Sequence, residues 1–317
     1  MATTKTPHMT DYEAERQTFH LDVPDYFNFA TDVIGTWASD PNKLAMLWVG
    51  QRGEEALLTF AYFAERSSRA ANAFAQLGIN KGDTVLVMLP RIPEWWESVL
   101  GLMKLGAIPI PCTTLLTPKD IQFRAEVAEA RAFITDREGA PKFDQVRAHC
   151  PTVQFAILAD RSDVDAASFT GWINFQQIAA AAAPAYSGPK TRSDDPCLVY
   201  FTSGTVGYPK MVLHTQASYP IGHTITGKYW LDLHEDDLHW NLSEMGWAKA
   251  AWSNLFGPWI MGAAMFMQDA RGKFDPIETL AMLNRYPITT LCAPPTAYRM
   301  MVLEEPIAYI KAHPPKA

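Results

Sequence analysis

Short apolar runs alternate with longer amphipathic stretches along most of this chain. Residues 26–37 have a helical pattern. Residues 45–49 and 56–60 are β-rich runs separated by a turn at 51–55, the spacing of a paired hairpin. Residues 62–77 have a helical period, with Ala70, Ala71, Phe74 and Leu77 apolar, and Gly78 stands where a C-cap belongs. A strand at 84–89 and a helix at 94–105 follow, the helix ending at Gly106. Next come an extended segment at 107–111, a helix at 118–130, a strand at 132–135, a helix at 141–150 and a strand at 155–158. Such alternation predicts parallel βαβ units, helices over the sheet and right-handed crossovers.

Residues 179–190 read AAAAAPAYSGPK, the tail of a helix and a surface linker. Apolar runs at 198–201 and 211–213 then flank a polar, glycine-containing loop. Beyond it the pattern predicts helices at 216–229, 247–259 and 276–285, strands at 238–242, 263–267 and 288–292, and a last helix opened by Pro294 and Pro295. The fold class is α/β, with layered parallel-sheet lobes. Their approximate bounds are 1–75 for an N-terminal arm and first elements, 76–214 for a first α/β lobe, and 215–317 for a second.

Composition narrows the function. The chain has 317 residues, 48% hydrophobic and 19% charged, which fits a large globular domain and excludes a disordered chain. A net charge of −7 supplies no basic footprint and speaks against a nucleic-acid partner. It leaves a polyphosphate open, since a local cluster of donors suffices. Cys112, Cys150, Cys197 and Cys292 form no CxxC and read as buried small hydrophobes in a reducing compartment. The N-terminus has neither an apolar signal core nor an Arg-rich, acid-poor pattern, so a cytoplasmic location is expected. No apolar run reaches the ~18 residues of a membrane span. His214, His223 and His239 read as structural, with no metal-ligand grouping, and no Ser-His-Asp set is evident.

The most informative stretch is LVYFTSGTVGYPKMVLH, residues 198–214. It predicts a strand, a phosphate-sized loop and a returning strand. Gly204 and Gly207 permit close backbone approach; Thr202, Ser203 and Thr205 offer hydroxyls; Lys210 adds a positive charge. The spacing is neither GxxxxGK[ST] nor GxGxxG. By composition alone it reads equally as a Gly-rich hairpin turn with a solvated lysine. The full string resembles the nucleotide-phosphate loop of the adenylate-forming enzymes, which reads YTSGTTGxPKGV or YFTSGTxGxPKM, with Val206 in place of the usual Ser or Thr.

Two more stretches extend the resemblance toward medium-chain acyl-CoA synthetases. WNLSEMGW, residues 240–247, reads by composition as a strand, a turn and the start of a core helix. It is similar to WNxSDxGW of those enzymes, with Glu244 where they have Asp. TLCAPPTAYR, residues 290–299, resembles their FCAPPTIYR. MLPRIPEWW at 88–96 and the Thr113–Thr114 segment are also similar. Without the resemblance, Arg91 and Glu94 read as surface salt-bridge residues.

The resemblance implies the N-terminal AMP-binding domain of an acid–thiol ligase, incomplete at its C-terminus. ATP and a small-molecule carboxylic acid would form an acyl-adenylate, and CoA would then take the acyl group. Thr202, Ser203, Gly204, Thr205, Gly207 and Lys210 would hold the phosphates with Mg2+, and Gly246 and Trp247 would border the acyl channel. The family's later YGxTE and TGD segments and its small C-terminal domain do not occur in these residues. The rival expectation is an inert, truncated fragment with partial nucleotide or acyl binding. Apolar surface left uncovered would favour a homo-oligomer or association with a separate C-terminal half.

Overall fold

Helices buried between two five-stranded sheets set the architecture. The computed structural model describes residues 5–160, 169–202 and 209–314. The elements open with α1 (Tyr12–Thr18) and α2 (Ile34–Trp37), then β1 (Leu44–Val49), β2 (Glu55–Thr59) and α3 (Phe60–Leu77). They continue with β3 (Thr84–Met88), α4 (Pro93–Leu105), β4 (Ile108–Pro111), α5 (Pro118–Val127), β5 (Ala132–Thr135), α6 (Ala140–Asp144) and β6 (Phe155–Leu158). After these come β7 (Ile173–Asn174), α7 (Phe175–Ala181), β8 (Pro196–Thr202), β9 (Lys210–Thr215), β10 (Leu238–Asn241), β11 (Ala264–Gln268) and β12 (Thr290–Cys292).

The first sheet has the order β4-β3-β5-β6-β7 and is parallel throughout. The expected βαβ alternation is therefore present. Gly78 and Gly106 end α3 and α4 at φ +94° and +78°, a left-handed turn that glycine adopts without Cβ strain. Successive strand residues face opposite sides, so Val85 and Val87 join the central core while Leu86 and Met88 pack outward toward α5.

The second sheet has the order β12-β10-β11-β1-β2. It is parallel except for the predicted β1–β2 hairpin, which is antiparallel. The first 75 residues thus add strands to the sheet of the last hundred rather than standing beside it. The α3–α4 pair lies between the sheets in one core that includes Met46, Trp95, Trp96, Val87, Trp259 and Met265.

Three predicted helices are shorter or segmented. The 216–229 stretch carries Pro220 within a π-helical turn at Ala217–Ile221, where proline cannot donate a backbone hydrogen bond. The 247–259 stretch breaks at Asn254, whose φ/ψ of −121°/16° is not helical. The 141–150 stretch stops at Asp144 and resumes as a 3-10 turn at Arg147–His149. Cys112, Cys150 and Cys197 are buried and Cys292 is half-buried, all with free thiols.

Candidate active site

The carboxyl ends of parallel strands from both sheets open onto one cleft of about 840 Å³. Its lining includes Arg91 after β3, Thr114 after β4, Asp136 after β5, Glu244 after β10 and Arg271 after β11. Open α/β sheets bind ligands outside these ends, where neighbouring crossovers run to opposite sides. Here that point is β3, which has β4 on one side and β5 on the other.

Arg271 ties the sheets together across the cleft. Its guanidinium lies 2.9 Å from Asp136 Oδ2, 2.6 Å from Glu138 Oε1 and 3.1 Å from Asp269 Oδ1. Burial pushes the Asp136 carboxyl above its ordinary range, and the Arg271 charge only partly offsets it. Burial alone would lower the Arg271 guanidinium, but the three carboxylates raise it on balance.

Two stretches singled out in the sequence meet at Glu244. Its Oε1 accepts the Thr114 N–H at 3.0 Å and its Oε2 accepts the Gly246 N–H at 2.9 Å. The carboxylate therefore fastens the turn after β10 to the turn after β4. Burial raises its carboxyl above the usual carboxylate range, against the pull of those N–H groups and of Arg91. Gly246 is needed here because a Cβ would fall 1.9 Å from the Thr113 nitrogen. Trp247 follows as the N-cap of the short helix Ala248–Ala251 and is 63% exposed. Neither Gly246 nor Trp247 lines the cleft.

The hairpin expected at residues 198–214 is present. β8 and β9 pair antiparallel and bring Thr202 opposite Lys210 at the mouth of the loop. Thr202 Oγ1 lies 3.5 Å from the Lys210 carbonyl oxygen, and both residues are exposed. Val199 packs in the same core as Ile110 of β4, which seats β8 against the first sheet. Ser203, Gly204, Thr205 and Gly207 lie outside the described residues.

Arg91 and Glu94 correct the surface reading. Arg91 donates to the backbone carbonyls of Leu242 at 2.6 Å, Ser243 at 3.4 Å and Ala270 at 3.3 Å. It therefore bridges the ends of β3, β10 and β11 rather than a solvated carboxylate. Glu94 is 3% exposed and accepts from Gln176 Nε2 at 2.6 Å. Their neighbours in MLPRIPEWW gave a signal, since Pro90, Ile92, Trp95 and Trp96 leave little solvated surface nearby. Sequence reasoning missed Arg271 and Lys142 entirely. Lys142 Nζ donates to the Thr114 carbonyl at 2.7 Å from the cleft wall.

A second opening of about 650 Å³ lies beside the Ala248–Ala251 helix. Trp230, Lys249, Trp252, Cys292 and Tyr298 line it with His239. His239 is fully buried, with ring nitrogens 2.7 Å from Thr290 Oγ1 and 3.0 Å from Ser253 Oγ, the structural role expected of it. Burial lowers its imidazole to about 4, so it is neutral at pH 7.

The sequence pattern of the AMP-binding enzyme family matches residues 35–316. The chain belongs to that family. This AMP-binding enzyme chain is 37% identical over 314 residues to Homo sapiens acyl-coenzyme A synthetase ACSM3, mitochondrial, covering 96% of itself and 53% of that relative. It is 40% identical over 294 residues to Mus musculus acyl-coenzyme A synthetase ACSM5, mitochondrial, covering 90% and 50%. The crystal structure of Brucella canis acyl-CoA synthetase superposes with a TM-score of 0.84 at 26% identity, over 96% of this chain and 56% of that one. Anthranilate CoA ligase AuaEII, solved with anthranoyl-AMP, shares the fold at TM-score 0.78 and 24% identity, over 87% and 51%. The chain spans about half the length of the curated relatives it matches.

Proposed function

We propose that this chain supplies the N-terminal part of an ATP-dependent acid–thiol ligase acting on a carboxylic acid of the medium-chain fatty type. A carboxylate oxygen attacks the α-phosphorus of ATP, pyrophosphate leaves, and an acyl-adenylate forms. The CoA thiol, having lost its proton, then attacks the acyl carbon and AMP leaves. The observation that carries the reading is the Glu244 carboxylate, which joins the WNLSEMGW and Thr113–Thr114 stretches beside a cleft that receives strand ends from both sheets. The relatives' names, acyl-coenzyme A synthetase, support it further.

In this reading Thr202, Ser203, Gly204, Thr205, Gly207 and Lys210 hold the β- and γ-phosphates, with Lys210 supplying the charge. Gly246 and Trp247 border the acid, with Trp247 and the nearby opening around Trp252 and Lys249 as its apolar and cationic walls. When bound, Mg2+ would neutralise polyphosphate charge. Thr202 and Lys210 offer it no carboxylate. The exposed Val302, Leu303 and Ile307 of the last helices support association with a further polypeptide. Among the described residues no helix is long and apolar enough to cross a membrane. A cytoplasmic location belongs to this proposal, whereas the two mammalian relatives are named as mitochondrial.

A second reading is binding without turnover, favoured by Val206, which stands where the resembled phosphate loop carries Ser or Thr. One experiment addresses both readings. ATP is titrated into the purified chain and into Lys210→Ala, and AMP and thioester formation are followed with C2–C12 acids and CoA. A hydrogen bond to a charged group contributes ~1.5–3 kcal/mol, so Lys210→Ala is expected to weaken ATP binding roughly 10- to 150-fold. Unchanged affinity reduces Lys210 to a surface lysine and removes the phosphate site. Binding without thioester favours the second reading; robust turnover excludes it.

A further inference from the structure

The N-terminal segment crosses to the turn before β10 and brings two imidazoles and a carboxylate together there. His8, Asp232 and His234 each present a ligand atom, all within 4.8 Å of one another. None of the three lines either opening.

The hydrogen bonds orient these groups for coordination. The His8 backbone N–H donates to Asp232 Oδ1 at 2.8 Å and holds the carboxylate in place. His8 Nε2 lies 2.8 Å from the Leu233 carbonyl oxygen. A ring nitrogen facing a carbonyl carries the proton, which leaves Nδ1 with a free lone pair. Metal-binding histidines show this same division, one nitrogen donating to a carbonyl and the other facing the ion. The His8 and His234 rings stack with centroids 4.1 Å apart and planes 11° apart. His234 Nε2 is buried without a hydrogen-bond partner and stands 3.9 Å from Asp232 Oδ1.

Charge favours a cation at the same place. The turn reads DLHEDD from Asp232 to Asp237. Lys5 pairs with Asp236 at 2.6 Å and Asp237 at 2.7 Å, and Lys43 pairs with Glu235 at 3.4 Å. Among the described residues no lysine or arginine pairs with Asp232.

We propose that His8, Asp232 and His234 form a zinc-class divalent cation site that fastens the N-terminal segment to the turn before β10. Two imidazoles and one carboxylate suit Zn2+, whereas Mg2+ and Ca2+ prefer all-oxygen shells. Tetrahedral bonds of ~2.0–2.1 Å place ligand atoms about 3.4 Å apart, so groups within 4.8 Å of one another must close by at most about 1.4 Å, within the reach of side-chain rotation. Water completes the coordination. Trp230 and Leu231 line the smaller opening and directly precede Asp232, so the cation also stiffens that wall.

The test uses the full chain stripped of metal with a chelator. ZnCl2 is titrated by calorimetry, and CoCl2 binding is followed by visible absorption. One equivalent of zinc is expected to bind, and cobalt to give d–d bands without the charge-transfer band that cysteine ligation would add. His8→Ala and His234→Ala are each expected to weaken zinc binding at least tenfold, while His149→Ala, an exposed histidine elsewhere, leaves it unchanged. Zinc should raise the thermal midpoint of the parent chain and not that of His8→Ala. His8 lies on the N-terminal segment, so this variant decides the matter even if His234→Ala fails to fold. Failure of zinc to bind saturably at micromolar concentration overturns the proposal. So does undiminished binding in His8→Ala, which would mean an adventitious ion on other side chains.

Discussion

The two five-stranded sheets are alike in size and differ in how the chain reaches them. All strands of the first come from residues 84–174 in a run of neighbouring βα units. The second takes β1 and β2 from residues 44–59 and the other three strands from residues 238–292. Its central pairing, Met46 with Met265, therefore closes only after the first sheet's whole sequence has been passed. Loop closure costs entropy that local contacts do not have to offset. The second sheet depends on side chains that clamp β1 onto β11, and the first needs far less of this.

Trp259 is one such clamp. It is fully buried, its Nε1 donates to the Ala45 carbonyl oxygen at 3.0 Å, and its ring lies 5.6 Å from Phe60 and 5.0 Å from Phe63. Trp259→Ala is expected to cost ~3–5 kcal/mol by urea denaturation, through the lost contacts and the cavity left behind. Hydrogen exchange sharpens the comparison. Amides of β1 and β2 should lose protection before those of β5 and β6, because the break falls in the second sheet. A uniform loss across both sheets would mean that they unfold as one unit and that the difference in assembly has no energetic trace.

Arg271 tests what joins the sheets at the cleft. Asp136 and Asp269 beside it are 3% and 5% exposed, so removing the guanidinium strands two buried carboxylates. Breaking a buried pair from one side costs ~3–5 kcal/mol; because Arg271 is itself partly solvated, Arg271→Met is expected to cost about 2–3 kcal/mol at pH 7. The pH dependence has a definite sign. Asp136 already titrates above its ordinary 3.8, so its protonated form is the one the fold prefers. Its contribution is fully present below 3.8 and is lost as pH rises through the higher folded value. Without Arg271 that value moves up further, so the variant should recover part of its loss between pH 7 and pH 4.5. Chemical denaturation at the two pH values measures this, and a loss that stays the same or deepens at pH 4.5 contradicts the assignment.

What was legible in the sequence follows the same division. Residues 62–158 alternate so regularly that the strands, α3 to α5 and both glycine caps could be read from apolar period and punctuation, and only the 141–150 helix stopped early. Nothing local says that 44–59 joins a sheet with 238–292, because strand partnership across such a distance leaves no periodic mark. The hairpin at Thr202 and Lys210 was legible from its turn chemistry. Glu244 stands where the related motif has Asp, and nothing in the sequence shows that its carboxylate spans the Thr114 and Gly246 N–H groups. Arg271, in ARGKFD, and His8, near the start, look like ordinary surface residues until folding brings in partners 133–135 and 224 positions away.

The smallest expected effect concerns the helical layer that both sheets share. Lys104 on α4 is 8% exposed, and its Nζ donates to the Ala64 carbonyl and Ser68 Oγ of α3, both at 2.8 Å. Burial, with no carboxylate to offset it, pushes its ammonium down from 10.5 to about 8. At pH 7 the charge is therefore carried in a site that disfavours it, a penalty of at most ~3.5 kcal/mol at ~1.4 kcal/mol per pH unit. Lys104→Met removes the charge and keeps the apolar stem. It also forfeits two hydrogen bonds worth about 1 kcal/mol each. Neither acceptor is left bare, because the Ser68 hydroxyl also donates to Ala64 at 2.7 Å. The net expectation is a gain of about 1 kcal/mol at pH 7. The folded value lies below the unfolded one, so the parent chain recovers stability as pH climbs from 8 toward 10.5, where the unfolded state alone still holds the proton. The advantage of the variant should therefore shrink over that window, and urea midpoints at pH 7 and pH 9.5 measure it. If Lys104→Met is destabilising at both, the hydrogen bonds of the Lys104 nitrogen outweigh its burial penalty, and Lys104 is a net tie between α3 and α4.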